Sequence, residues 1–267
     1  MQHKAKKSMG QNFLKSAQAI RDIIGAGELS KNDTVLEIGP GKGALTEALL
    51  ETGATVIAIE KDRELFAYLA EKFQNEIIAK KFVLIEGDVL EFQIANLKGK
   101  EKKYKLIANI PYNITGAIIR KFLSEEIQPE RMVLLVQKEV AERIVVRNKK
   151  ESILSLSVKA YGIPKIISKV PARYFSPAPK VDSAIIAITE ISKRRFEREK
   201  IDEKSFFEVI HAGFAHKRKV LIKNLEEGLK IEKTLIVSLF EKYGLKPTVR
   251  AEEIGIDTWI GIAKDMH

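Results

Sequence analysis

Residues 108–113 read ANIPYN and directly follow the apolar run YKLI. An amide (Asn109), a carbonyl ahead of an imide (Ile110 and Pro111) and an aromatic ring (Tyr112) stand together there. This group holds no strong acid or base. Its chemistry is to accept hydrogen bonds from an amino group, orient it, and stack on a flat ring. A second group lies upstream in LEIGPGKGALT, where Gly39, Gly41 and Gly43 form a turn between a strand and a helix. Glycine permits positive φ and lets a ligand approach the backbone, while the helix start offers free N–H donors. Three acids fall at successive strand ends: Glu37 before the turn, Glu60 in TVIAIE and Asp88 in EGD.

The spacing of the turn narrows the ligand. It is G-x-G-x-G rather than the G-x-G-x-x-G of dinucleotide sites, and no Gly-Lys-Ser/Thr completes a phosphate loop. Glu37 stands two residues before Gly39, where a carboxylate would repel a pyrophosphate but attract a sulfonium or ammonium. Glu60 lies about 20 residues beyond the first glycine, the offset at which an acid accepts both ribose hydroxyls. Asp88 is placed to accept from an adenine amine. A lone glycine turn is often only a tight turn, and a lone acid a helix cap. Three acids beside one turn point instead to a nucleoside bearing a cation.

With S-adenosylmethionine as that ligand, the fourth strand end falls beside its methyl group. The exocyclic amine of adenine is a poor nucleophile because its lone pair is delocalised into the ring. Asn109 Oδ1 and the Ile110 carbonyl would accept its two N–H bonds and draw the nitrogen towards tetrahedral geometry. Pro111 would fix the loop, and Tyr112 would stack on a base removed from its helix or loop.

These residues need a scaffold that brings strand ends together. Short β-branched runs, TVLEIG, TVIAIE, FVLIEGD, YKLIANI and MVLLVQ, alternate with helix-like segments such as ALTEALLET and RELFAYLAEKF. Their continuous hydrophobicity suits strands buried on both faces, so the pattern predicts a parallel sheet covered by helices. KIISKV and SAIIAITE add two strands, joined by the Pro-punctuated PARYFSPAPKVD in place of a crossover helix, which predicts an antiparallel edge. The expected domains are 1–190, with a basic arm at 1–15, a charged linker at 191–204, and helices at 205–229, 233–243 and 251–265.

Composition sets outer limits. With 267 residues, 45% of them hydrophobic, the chain can bury a large domain and a small one. Forty-six Lys and Arg against 36 Asp and Glu give a net charge of +10 and favour an anionic partner. Without cysteine there are no disulfides or thiolate sites, and the four His lack metal-ligand spacing. The basic N-terminal stretch has no apolar run of about 7–15 residues, as a secretory signal would, and no later stretch is long enough to span a bilayer, so a cytoplasmic location is expected.

KKSMGQNFL, EIGPGKGALT, IANIPYNIT, QKEVAERI and FSPAPKVDSAI, followed by GFAHKRKVLIKNL and RAEEI, together resemble the KsgA-type ribosomal RNA adenine dimethyltransferases over nearly the whole chain. The resemblance implies a Rossmann-like class I methyltransferase with a mostly parallel seven-stranded sheet and a small all-α C-terminal domain. It implies transfer of two methyl groups to N6 of each of two adjacent adenines in a hairpin near the 3′ end of small-subunit rRNA, by a monomer acting on an assembling subunit. It further implies that Asn12 and Leu14 close over the cofactor, that Gly39 and Glu60 hold its methionine and ribose ends, that Asp88 meets its adenine, and that Phe175 stacks on the target base opposite Tyr112. One departure is Ile110, where KsgA-like enzymes usually have Leu and Ile is frequent in the large-subunit resistance methyltransferases. That branch, and a non-catalytic RNA-binding assembly factor, are the competing readings. RNA contacts are expected from Lys6 and Lys7 in the arm, and from Lys217, Arg218 and Lys223 on one amphipathic helix.

Overall fold

The computed structural model describes residue 6 and residues 10–94, 103–146 and 149–266. Its strands are β1 (Phe13–Leu14), β2 (Thr34–Ile38), β3 (Thr55–Glu60), β4 (Phe82–Glu86), β5 (Lys105–Asn109), β6 (Arg131–Gln137), β7 (Ile163–Val170), β8 (Phe175–Ser176) and β9 (Ser183–Thr189). The helices are α1 (Ala17–Gly27), α2 (Ala44–Glu51), α3 (Arg63–Lys72), α4 (Gln74–Ile78), α5 (Thr115–Ser124), α6 (Lys138–Ile144), α7 (Ile153–Tyr161), α8 (Arg194–Glu199), α9 (Glu203–Gly213), α10 (Leu221–Leu229), α11 (Lys233–Lys242) and α12 (Ile256–Asp265).

Seven strands form one sheet in the order β4-β3-β2-β5-β6-β9-β7. The five runs read as buried strands are parallel neighbours, and β2, β5 and β6 lie almost wholly inside, as their unbroken apolar sequences require. The antiparallel edge forms, with β9 inserted between β6 and β7. Composition explains which of the two lies outside. SAIIAIT in β9 is apolar on both faces, whereas β7 alternates exposed and half-buried residues and carries Pro164, Lys165 and Lys169, as suits an edge strand.

Strand order reverses between β2 and β5, because β3 and β4 follow on one side of β2 while β5 and β6 extend the other. A crevice therefore opens at the carboxyl ends of these strands, where open α/β sheets bind ligands. The parallel register aligns those ends: Ile38 lies opposite Ile59, Glu60 opposite Glu86, and Asn109 opposite Leu135. The loop joining β7 to β9 contains β8, which pairs antiparallel with β1 through Phe13 opposite Ser176 and Leu14 opposite Phe175. This pairing lays residues 10–14 across the crevice as a strap.

The chain forms two compact units, residues 1–141 with 163–191, and residues 142–162 with 192–267. Segment 142–162, expected within the first domain, belongs to the second unit and carries α7, which begins with a Ser152–Ser155 capping box. The stretch expected as a linker, 191–204, contains α8, whose Phe196 is buried against Tyr161 and Phe206.

The helix expected over 205–229 is two helices. After α9 the chain turns through 214–220 and restarts at α10, with Asn224 Nδ2 donating to the carbonyls of Gly213 and His216. A single straight helix would leave its apolar stripe without a partner. Folding back instead packs α10 on α9, so closely that Gly228 lies against Ala212. Lys217 and Arg218 consequently sit in the turn, and only Lys223 is helical. The segment expected as one helix over 251–265 is a short turn at Ala251–Glu253 followed by α12.

Candidate active site

At the end of β2, Glu37 is 1% exposed, and its Oε2 accepts a 2.7 Å hydrogen bond from Thr46 Oγ1 on α2. Burial pushes its carboxyl up to about 8, the Thr46 hydroxyl opposes this, and the neighbouring Glu60 adds to the rise. Glu60, at the end of β3, is also buried. Its Oε2 accepts from Gly41 N at 3.2 Å and its Oε1 from Asp62 N at 2.9 Å. Burial raises this carboxyl too, and the two N–H donors limit the rise.

The glycine turn is drawn over these acids. Gly39 N donates to Ile59 O at 2.9 Å, tying the turn to β3. Gly39 and Gly41 have φ of 63° and 62°, in the left-handed region that disfavours other residues. A Cβ on Gly41 would press on the Phe13 ring at 3.0 Å, so the turn and the strap fit only without a side chain there. At Gly39 a Cβ would stand in open space.

Asp88 follows β4. The Lys61 ammonium, 2.7 Å from its Oδ2, holds its carboxyl below the usual range, and its Oδ1 accepts from Leu90 N. Asn109 ends β5, with its Nδ2 donating to the backbone carbonyl of Asn12 in the strap at 3.1 Å. That bond fixes the orientation of the amide and leaves Oδ1 as its acceptor. Beyond Pro111, Tyr112 opens a short turn through Ile114, and its hydroxyl lies 2.6 Å from Ser183 Oγ at the start of β9. Burial keeps the Tyr112 phenol neutral despite the Ser183 hydrogen bond.

These groups enclose a cavity of about 240 Å³. Its wall includes every residue the sequence suggested for the cofactor: Asn12, Leu14, Glu37, Gly39, Gly41, Glu60, Asp88 and Asn109. Ile110, Pro111 and Tyr112 line the same cavity. Phe175 does not. It is 2% exposed and packs in the core with Leu14, Ile23 and Ile185, so in this structure its ring lies beneath the loop and outside the cavity wall. Its β8 pairing with Leu14, together with the apolar surface beneath the loop, draws it inward.

The basic residues separate in the same way. Lys6 pairs with Asp62 at 2.8 Å and Glu64 at 3.1 Å, which ties its side chain to the start of α3. Lys7 lies outside the described residues. In the second unit Lys217, Arg218 and Lys223 are all exposed. Sequence reasoning missed Phe13, Lys42 and Leu90 on the cavity wall, and Asp62 and Ser183 behind it. Only the neighbourhood of known motifs signalled them: Phe13 lies inside QNFL, and Ser183 inside KVDSAI. Among the described residues no group of His, Asp and Glu is placed to hold a metal ion, and no helix is long and apolar enough to cross a membrane.

The strand order, the glycine turn and the acid-lined crevice at the switch point define a Rossmann-like methyltransferase fold. Two solved structures share it over nearly their full lengths. A dimethyladenosine transferase from Plasmodium falciparum superposes with a TM-score of 0.78 at 24% identity, covering 94% of this chain and 95% of that one. The 23S rRNA methyltransferase ErmE superposes with a TM-score of 0.72 at 23% identity, covering 95% and 99%. Residues 2–266 match the family model described as Ribosomal RNA adenine dimethylase. A protein of Dehalococcoides mccartyi called Ribosomal RNA small subunit methyltransferase A is 43% identical over 96% of this chain and 86% of its own. The chain belongs to the ribosomal RNA adenine dimethylase family.

The Glu37 carboxyl gives a pH signature. It ionises near 4.5 in the unfolded chain and near 8 in the folded one, so its contribution to stability is full below pH 4.5 and lost as pH rises to about 8. Glu37→Gln removes this loss while keeping an acceptor for Thr46. At pH 8.5 the ligand-free variant is expected to exceed the parent in stability by on the order of 2 kcal/mol, with little difference at pH 4.5. Urea unfolding at the two pH values checks this.

Proposed function

We propose that this chain transfers methyl groups from S-adenosylmethionine to N6 of two adjacent adenines in a hairpin near the 3′ end of small-subunit rRNA, giving N6,N6-dimethyladenosine. We take it to act as a cytoplasmic monomer on a subunit still under assembly. The observation that carries this reading is the placement of Asn109, its amide oriented by the strap, in the wall of a cavity also lined by Glu37, Glu60 and Asp88. Support for the small-subunit substrate comes from the name of relatives about 40% identical over nearly the whole chain.

The cavity suits the cofactor. Glu37 is a buried carboxyl that pairs with no cation among the described residues, the place for a sulfonium and an ammonium. Glu60 retains lone pairs for ribose hydroxyls after its two backbone bonds. Gly39 and Gly87 leave open wall where a side chain would intrude, and Val89 and Leu90 offer apolar contact to a flat base beside Asp88. When bound, S-adenosylmethionine supplies a methyl group activated by its sulfonium.

The residues of the chain then orient the nucleophile. Asn109 Oδ1 and the Ile110 carbonyl accept the two N–H bonds of the target amine, localising its lone pair for in-line attack. Tyr112, held by Ser183 and neutral, stacks on the extruded base without a charge that would repel it. The methylated nitrogen is acidic enough to release its proton to water, so no general base is needed. One or two base contacts cannot select a hairpin, and the exposed Lys217, Arg218 and Lys223 supply charge for phosphates.

Labelled methyl transfer to undermethylated small subunits, with large-subunit rRNA in parallel, tests the reading. N6,N6-dimethyladenosine is expected in the small-subunit RNA alone. Label in the large-subunit RNA would move the chain to the resistance-type activity, and label in neither would favour a binding role. Replacing Lys217, Arg218 and Lys223 together by Ala is expected to weaken RNA binding and to lower the slope of log affinity against log salt by roughly 2 to 3. An unchanged slope would remove these residues from the interface.

A further inference from the structure

Asp62 accepts more hydrogen bonds than its place outside the cavity wall would suggest. Its side chain is fully buried at the start of α3. Oδ1 accepts from Lys6 Nζ at 2.8 Å and from Glu64 N at 3.1 Å, and Oδ2 accepts from Gln11 Nε2 at 2.9 Å. Lys6 N in turn donates to Gln11 Oε1 at 2.7 Å. Burial alone would raise the Asp62 carboxyl, but the Lys6 ammonium and the Gln11 and Glu64 donors leave it below its ordinary value, ionised and acting as an acceptor.

Two features connect this carboxylate to the chemistry. On one side, Asp62 N donates to Glu60 Oε1, and Glu60 Oε2 holds Gly41 N, so the residue that grips the strap also braces the acid on the cavity wall. On the other, the strap residue after Gln11 is Asn12, whose carbonyl receives Asn109 Nδ2. Further along, Phe13 lies under Lys42 Nζ at 5.1 Å and against Gly41, and β1 pairs with β8. The strap thus reaches the glycine turn, the Asn109 amide and the Pro-rich loop, and its N-terminal end is tied down at Asp62.

We propose that Asp62 is a positioning residue, a latch that engages Lys6 and Gln11 to set the register of the strap, so that the Asn12 carbonyl fixes the Asn109 amide with Oδ1 available to the target amine. The proposal rests on the reading of Asn109 as the acceptor for that amine. It assigns Lys6 to catalysis by way of the strap and removes it from the RNA interface. Near-attack geometry is sensitive to displacements of about 1 Å, so a slack strap lowers turnover without altering how RNA is held.

The test compares Lys6→Met, Asp62→Asn and the double variant with Asn109→Ala, using small subunits as substrate. Asn retains the helix cap that Asp62 provides, and Lys6 is partly exposed, so Lys6→Met preserves the fold. Each single variant is expected to lower kcat by about tenfold, with KM for RNA changing by less than roughly twofold. The double variant should lose no more than Asp62→Asn alone, as expected for one shared interaction. Amide hydrogen exchange across residues 12–14 should quicken in all three. A rise in KM for RNA with unchanged kcat in Lys6→Met would make Lys6 an RNA contact and overturn the latch. Wild-type kcat in both single variants would do the same. Full turnover by Asn109→Ala would instead overturn the underlying reading of Asn109.

Discussion

Two buried carboxyl groups at neighbouring strand ends, Glu37 and Glu60, neither paired with a cation among the described residues, are the constraint on which this site depends. Glu37 and Glu60 end adjacent parallel strands whose register places Ile38 opposite Ile59, so the sheet itself forces them together. Burial of either charge is unfavourable, and the structure offsets only part of the penalty, through the Thr46 hydroxyl on one and two backbone N–H groups on the other. The rest can be supplied by a cation entering the cavity. Fold and ligand are thereby linked: the strand order opens the crevice, the glycines keep it clear, and the acids give it a sign.

The catalytic end of the cavity follows a different logic. Asn109, Ile110 and Tyr112 carry no charge, and the Tyr112 phenol is held neutral by burial. A weakly basic amine needs alignment and hydrogen bonding more than it needs a base, and rigid neutral acceptors provide both. Rigidity here is long-range. Asn109 is steadied by a residue 97 positions away in the chain, and Tyr112 by one 71 positions away. In the proposed function the acids attract the methyl donor and the neutral group arranges the acceptor.

The parts of this arrangement legible in the sequence were those governed by local pattern. Unbroken β-branched runs gave the parallel strands, the glycine spacing gave the turn, and acids at strand ends could be read because strand ends are where such sheets bind ligands. Tertiary contacts decided the rest. Phe175 is chemically suited to stacking, yet its pairing with Leu14 buries it. Lys217 and Arg218 fit a helical stripe, but packing of α10 on α9 puts them in a turn. Asp62 carries no motif of its own in the sequence; it caps α3, and only the fold reveals that Lys6 and Gln11 meet on it. Helix α8 hid in a charged stretch because a single buried Phe196 among basic residues gives almost no periodic signal.

The central claim is that the cavity awaits a cation at Glu37, and proton release on ligand binding tests it most directly. Calorimetric titration of S-adenosylmethionine at pH 7, in buffers of different ionisation enthalpy, counts the protons exchanged. The free protein holds the Glu37 proton at that pH, and a cation beside it favours ionisation. The account predicts release of close to one proton in the parent and almost none in Glu37→Gln. Binding by the parent without proton release, or equal release from both proteins, would contradict it.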